Sequence, residues 1–232
     1  MTGVAHAVAG RVKNRLLPEG LALRRLPCGI GAGARMEIDF RHQTKLFLGL
    51  YEIEVNRYIR ELCPPSGGCF DVGGQAGYDA LVLAGLTTGP VVSIDCDPDS
   101  TARMRRVFAS NPRYADRLSV IEATIARSAD GSGHRLALDD IAYSPEGFVP
   151  DFIKIDIDGG EVDALAGAGR LLRDRRPHLI VETHSPRLES DCAGILRDAG
   201  YAPTVVNQRS WFKDLRPPPH NRWLIARGAP RS

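Results

Sequence analysis

Two short stretches of this sequence carry side chains that could move protons or hold a cation. In "FIKIDIDGGEVDAL" (152–165), Lys154, Asp156 and Asp158 alternate with Ile153, Ile155 and Ile157, and Glu161 follows three residues after Asp158. In "HLIVETH" (178–184), Glu182 and His184 alternate out of an apolar run in the same way. Strands of a parallel sheet covered on both faces normally read as continuous apolar runs, so charges at their ends call for a reason. Imidazole titrates near neutral pH, which makes His184 the preferred general base, with Asp156 and Asp158 beside it as catalytic carboxylates. Adjacent parallel strands lie about 4.8 Å apart, so Asp156 and His184 reach one cleft if the two strands are neighbours. Asp158 and Glu161 also have the spacing of a close relative of the capping box, which would satisfy free amides of the helix that starts there. Asp156, Asp158, Glu182 and His184 could alternatively gather a hard cation such as Mg²⁺, but the spacing does not demand one and no metal is assigned.

A second set points to a nucleotide-like cofactor. "FDVGGQAGYDA" (70–80) places Gly73, Gly74 and Gly77 in a strand-to-helix turn. Absent side chains there let a ligand approach the backbone, and amides at the helix start would face it. VVSID ends in Asp95, 22 residues after Gly73, near the spacing at which such a sheet presents an acid to ribose hydroxyls. Asp97, just before Pro98, reads as the N-cap of the next helix. A glycine turn with a ribose acid fits S-adenosylmethionine and NAD alike. NAD would prefer G-x-G-x-x-G, whereas this chain has D-x-G-G-x-x-G, with Asp71 placed to hold the turn or to meet the cationic methionine end of a cofactor. That favours S-adenosylmethionine. The cofactor-binding set is Asp71, Gly73, Gly74, Gly77, Asp95 and Asp156, together with Glu122 and Ala123 at the end of LSVIE. An NAD-dependent oxidoreductase on a similar sheet and a nucleotide-binding module without chemistry stay open as alternatives.

The elements that must position these residues follow from the pattern. A helix through TKLFLGLYEIEVNRYIREL stops at Cys63-Pro64-Pro65, because proline cannot continue it. Strand-like runs then alternate with helical ones: CFDV, a helix 77–86, VVSID, a helix 98–109, LSVIE, FIKID, a helix 161–172, HLIVE, a helix 190–199, APTVV and RWLIAR. This order predicts an α/β fold, a doubly wound, mostly parallel sheet with helices on both faces. Ligands of such sheets bind at the carboxyl ends of the strands, where the unusual residues fall.

At 232 residues and 43% hydrophobic content the chain has material for one sizeable core. Thirty basic residues nearly balance twenty-eight acidic ones, which argues against nucleic acid or a membrane as partner and for a small-molecule acceptor. The five cysteines are scattered and lack close pairs, so a reducing, cytoplasmic location is expected. No stretch approaches the 18 or so apolar residues of a membrane span. Homo-oligomer formation stays open. Residues 1–40 read as a basic N-terminal extension, partly helical, with Val12, Leu16, Leu17, Leu21 and Leu23 on a loose stripe; residues 41–232 hold the sheet.

From about Phe40 to Ala226 the chain resembles the FkbM-type class I S-adenosylmethionine-dependent methyltransferases. The phrases that carry the resemblance are "GLYEIEV", "FDVGGQAGYDA", "VVSIDCDPDS", "LALDDIA", "DFIKIDIDGGEVDALAGA" and "RPHLIVETH", in family order. The resemblance implies a Rossmann-like, seven-stranded sheet whose last strand is antiparallel, with 41–232 as the methyltransferase domain. It also implies methyl transfer, usually to oxygen, here of a small metabolite or sugar. The chain departs from the family at Gly74 and Gln75, where alanine and asparagine are usual, and at Asp158 and Gly160, where glutamate and alanine are usual. The fourth strand ends in "DIDGG" rather than the Asn/Asp-Pro-Pro-aromatic turn of enzymes that methylate exocyclic amines of nucleic acids.

Overall fold

The fold comes from a computed structural model that describes residues 18–209 and 220–228. The chain divides into two compact units, Met1–Ile53 and Glu54–Ser232. In the first, β1 (Ala22–Arg25) pairs antiparallel with β2 (Arg35–Ile38), and α1 (Phe40–Phe47) follows. Leu23 of the expected helical stripe therefore lies in a strand; Val12, Leu16 and Leu17 lie outside the described residues. The expected continuous helix up to Leu62 is broken. Gly49 has φ +67°, and a Cβ on it would fall 2.5 Å from the Gly29 Cα, so the chain turns where two backbones cross too closely for a side chain.

The second unit begins with the other half of that expected helix, α2 (Asn56–Leu62), which stops before the two prolines as the sequence requires. In chain order there follow β3 (Cys69–Val72), α3 (Tyr78–Leu86), β4 (Val91–Asp95), α4 (Pro98–Ala109) and β5 (Leu118–Glu122). A small parallel pair comes next, β6 (Thr124–Ile125) with β7 (Arg135–Leu136), then α5 (Leu138–Ala142). The chain continues through β8 (Phe152–Ile155), α6 (Glu161–Ala166), β9 (His178–Thr183), α7 (Pro186–Asp198), β10 (Thr204–Asn207) and β11 (Arg222–Ala226). The main sheet has seven strands in the order β10-β11-β9-β8-β3-β4-β5. β11 runs antiparallel to both neighbours, and the pairings from β9 to β5 are parallel.

The central strands β3 and β8 are buried at every residue, because helices cover both faces. Ile153, Ile155, Leu179 and Val181 pack with Ala164, Leu165 and Leu196 on one side. The order reverses at β3, whose neighbours are β4 and β8, and this switch opens the crevice in which an α/β sheet takes its ligand. No helix among the described residues is long and apolar enough to cross a membrane.

Candidate active site

The glycine turn after β3 is shaped by the protein's own packing. A Cβ at Gly73 (φ +91°) would lie 1.8 Å from the Asp156 carbonyl oxygen. At Gly74 it would meet Ser93 Oγ at 2.0 Å, and at Gly77 (φ +80°) the Phe108 ring at 2.6 Å. The turn's amides are likewise occupied. Gly73 and Gly74 donate to the Ile94 carbonyl at 2.8 and 3.1 Å, and Gly77 donates to Gly74 at 2.7 Å. At these three glycines, bare amides facing a ligand do not match this geometry. The glycines instead let β8 and α4 approach the turn more closely than any side chain would allow.

Asp95 holds the same turn from the next strand. Its Oδ2 accepts from the Gln75 amide at 2.8 Å and its Oδ1 from the Asp97 amide at 2.9 Å. Gln75 needs this support, since it sits at φ +45° without being glycine. Asp97 caps α4 as read from the sequence, accepting from the Asp99 and Ser100 amides, with Pro98 in the first turn.

Beside Asp95 a cavity of about 370 Å³ runs to the end of β8. Of the expected cofactor-binding residues, Gly73, Asp95, Ala123 and Asp156 line it, as does Asp158. Ile94 and Ile125 form apolar walls, and Gln75, Ser100 and Thr124, which sequence reasoning passed over, add polar ones. Gly74, Gly77, Asp71 and Glu122 are not in the lining. Glu122 accepts from Thr101 Oγ1 at 2.6 Å. Asp71 is buried beneath the turn, where Ser93 Oγ donates to it at 2.7 Å. Burial pushes its carboxyl up to about 6, against the opposing pull of the Lys154 ammonium and the Ser93 hydroxyl.

Lys154, one of the largest fully buried side chains, points into the same layer. Its Nζ lies 2.8 Å from Asp79 Oδ2 and 3.5 Å from Asp156 Oδ2. A buried ammonium is tolerated only when paired, and this one ties the start of α3 to the end of β8. A lysine inside an isoleucine strand was the available signal for it.

Asp156 lies one residue past β8 rather than inside it, though its amide still donates to the Val72 carbonyl at 2.8 Å. β8 and β9 are neighbours, with Ile155 opposite Val181. Asp156 and His184 do share a cleft: Nε2 is 3.6 Å from Asp156 Oδ1. The same nitrogen is 3.2 Å from Asp158 Oδ1 and 3.8 Å from Glu182 Oε1. Nδ1 lies 2.6 Å from Oε1 of Glu161, whose side chain is fully buried. That hydrogen bond, with the charges of Asp156, Glu161 and Asp158, raises the proton affinity of His184 above the ordinary imidazole value despite its burial.

The capping expectation for Asp158 and Glu161 fails. The N-cap of α6 is Gly160, with no side-chain cap bond. Asp158 is 88% exposed and turns to His184, while Glu161 bonds the ring. A capping box and a histidine clamp use the same residue types, and only the position of β9 decides between them.

Comparison with known proteins places this arrangement. Residues 135–203, from β7 to just before β10, match the family model described as the methyltransferase FkbM domain. Among solved structures, an FkbM methyltransferase from Methylobacillus flagellatus is similar over 96% of this chain, at 18% identity and a TM-score of 0.57. The chain spans only 59% of that protein's length. An S-adenosylmethionine-dependent O-methyltransferase from Thermotoga maritima matches at 12% identity and a TM-score of 0.53, over 76% of this chain and 65% of its own. Aeropyrum pernix fibrillarin, solved with natively bound S-adenosylmethionine, matches at 15% identity and a TM-score of 0.50, over 71% of this chain and 67% of its own. No curated protein matches the chain. At these identities the structural likenesses show the fold alone, and the family model's match falls on the segment that holds β8, Glu161 and His184. Residues 135–203 are thus similar to the methyltransferase FkbM domain, and the chain has the fold of the solved S-adenosylmethionine-dependent methyltransferases.

Proposed function

We propose that the protein methylates an oxygen of a small metabolite or sugar, using S-adenosylmethionine. The observation that carries this reading is a cavity joining Asp95 to Asp156 and Asp158, with His184 next to its far end. The residues present fit the cofactor. Ile94, Ala123 and Ile125 offer apolar walls for an adenine ring. Asp95 spends one lone pair of each oxygen on the turn, and a carboxylate has about four, so acceptors remain for ribose hydroxyls. When bound, S-adenosylmethionine supplies an electrophilic methyl group. The protein's part is to align an acceptor oxygen with it and to remove the acceptor's proton at Asp156, Asp158 and His184. A cytoplasmic location is proposed with it, on the odd number and scatter of the five cysteines along the sequence.

The test is binding followed by turnover. Adenosylhomocysteine should raise the melting temperature, because a ligand of the folded state alone stabilises it, and calorimetry should show S-adenosylmethionine binding where NAD does not bind. Methyl transfer to candidate hydroxyl compounds then tests the chemistry. Binding of NAD in preference would overturn the reading.

A further inference from the structure

The environment of His184 is unusual on its Nε2 side. Glu161 occupies Nδ1 at 2.6 Å, which places the ring proton between them and leaves Nε2 to face Asp156, Asp158 and Glu182 at 3.6, 3.2 and 3.8 Å. These separations exceed the 2.7–2.9 Å or so of a charge-assisted hydrogen bond, and one proton on Nε2 could serve only one of three oxygens. They suit a shared ion better. Donors about 2.0–2.2 Å from one ion lie about 3 to 3.5 Å apart, so Nε2, at 3.6 and 3.8 Å from Asp156 and Glu182, needs to close on each by only a few tenths of an ångström. One donor atom each from Asp156, Glu182 and His184 already lies within 4.8 Å of the others.

A second observation concerns Glu161. Its carboxylate is fully buried behind the ring, with Oε1 on Nδ1 and Oε2 without a partner. A buried carboxylate is costly when it leaves an oxygen unsatisfied. A carboxylate on the far nitrogen is also what orients a metal-bound histidine and makes its other nitrogen a stronger donor. Opposite, Trp223 Nε1 donates to Glu182 Oε2 at 3.1 Å, which fixes that side chain with Oε1 towards His184. Glu182 is thus held from behind by Trp223, and His184 by Glu161.

We propose that Asp156, Glu182 and His184 form a divalent-cation site at the end of the cavity, where the ion activates the acceptor hydroxyl. Three protein donors leave positions open for substrate. Two carboxylates and one imidazole suit Mn²⁺, and Mg²⁺ less well because it prefers all-oxygen ligands. A hydroxyl beside the ion ionises more easily: its O–H bond breaks, the electron pair stays on oxygen, and the proton passes to the exposed carboxylate of Asp158. In this arrangement His184 acts as a ligand. The proposal rests on the methyl-transfer reading for its purpose, but not for its test.

The experiment titrates the metal-stripped full chain with Mn²⁺, following free Mn²⁺ by electron paramagnetic resonance, and measures adenosylhomocysteine binding separately by calorimetry. One Mn²⁺ per chain is expected, with affinity lowered at least tenfold in Glu182→Gln and in His184→Ala, and about 10- to 100-fold in Glu161→Gln. Thermal melts check that each variant folds, and His184→Ala decides if a carboxylate variant does not. Absence of Mn²⁺ binding, or binding unchanged in His184→Ala and Glu182→Gln, overturns the site. Adenosylhomocysteine binding without Mn²⁺ binding removes the cation alone and returns His184 to the role of proton acceptor. Ligand-dependent Mn²⁺ binding without adenosylhomocysteine binding upholds the site and removes the methyltransferase reading.

Discussion

The two ends of the cavity are built on opposite principles. At the β3–β4 end, the polar groups that hold the turn are paired with one another: Asp95 serves two amides, the glycine amides serve Ile94 and Gly74, and Asp71 takes Ser93. At the β8–β9 end, four carboxylates surround one imidazole, and a buried oxygen of Glu161 has no partner. A satisfied network makes a rigid frame that a ligand can lie against. An over-supplied one holds groups whose purpose is completed by something that binds. The first end thus reads as a scaffold for binding and the second as the place of chemistry.

Six substitutions would break or sharpen that contrast. The largest effect should come from the reactive end. Asp156→Asn is expected to lower kcat by about 10² or more, the range of a lost acid-base or positioning group, as measured by single-turnover methyl transfer. Full activity in both Asp156→Asn and His184→Ala would make the β8–β9 end structural, and the contrast would disappear.

Next comes the scaffold. Gly73→Ala combines a positive φ with a Cβ placed 1.8 Å from the Asp156 carbonyl, so it should cost about 3 kcal/mol or more of folding stability. Gly159 is the control: it has φ +85° but nothing within 4 Å of an added Cβ. Gly159→Ala should cost only about 1–2 kcal/mol. Urea unfolding of both proteins checks this. Equal stability losses, with cofactor affinity lost only in the Gly73 variant, would restore the glycine as a ligand contact.

Asp95→Ala should weaken adenosylhomocysteine binding by about 1–3 kcal/mol, the cost of unpaired polar groups. Calorimetry at wild-type affinity would take Asp95 out of the binding surface and leave it only the turn. The smallest effect is reserved for Asp158. As it caps no helix and is 88% exposed, Asp158→Asn should move stability by no more than about 0.5 kcal/mol. A larger loss in the melting curve would bring the cap back.

Periodicity and breakers alone located β3, β4, β5 and α4 at their observed bounds, because apolar runs between Pro and Gly leave a buried strand or helix few alternatives. The same local signals marked Asp156, His184, Asp95 and the glycine turn as the residues to watch. They misjudged the helix expected through Gly49, since apolar spacing cannot reveal that two backbones meet there. They also could not say what Glu161 or Asp158 does. Capping is a local interaction and was inferred from spacing; the bond to His184 spans 23 residues and exists because β9 lies beside β8. The glycine turn shows the same division. Its composition was plain in the sequence, but its reason, the Asp156 carbonyl pressed against Gly73, is a contact between segments more than eighty residues apart. Local chemistry fixed which residues were exceptional, and long-range packing, which follows from strand order, decided which partners they met.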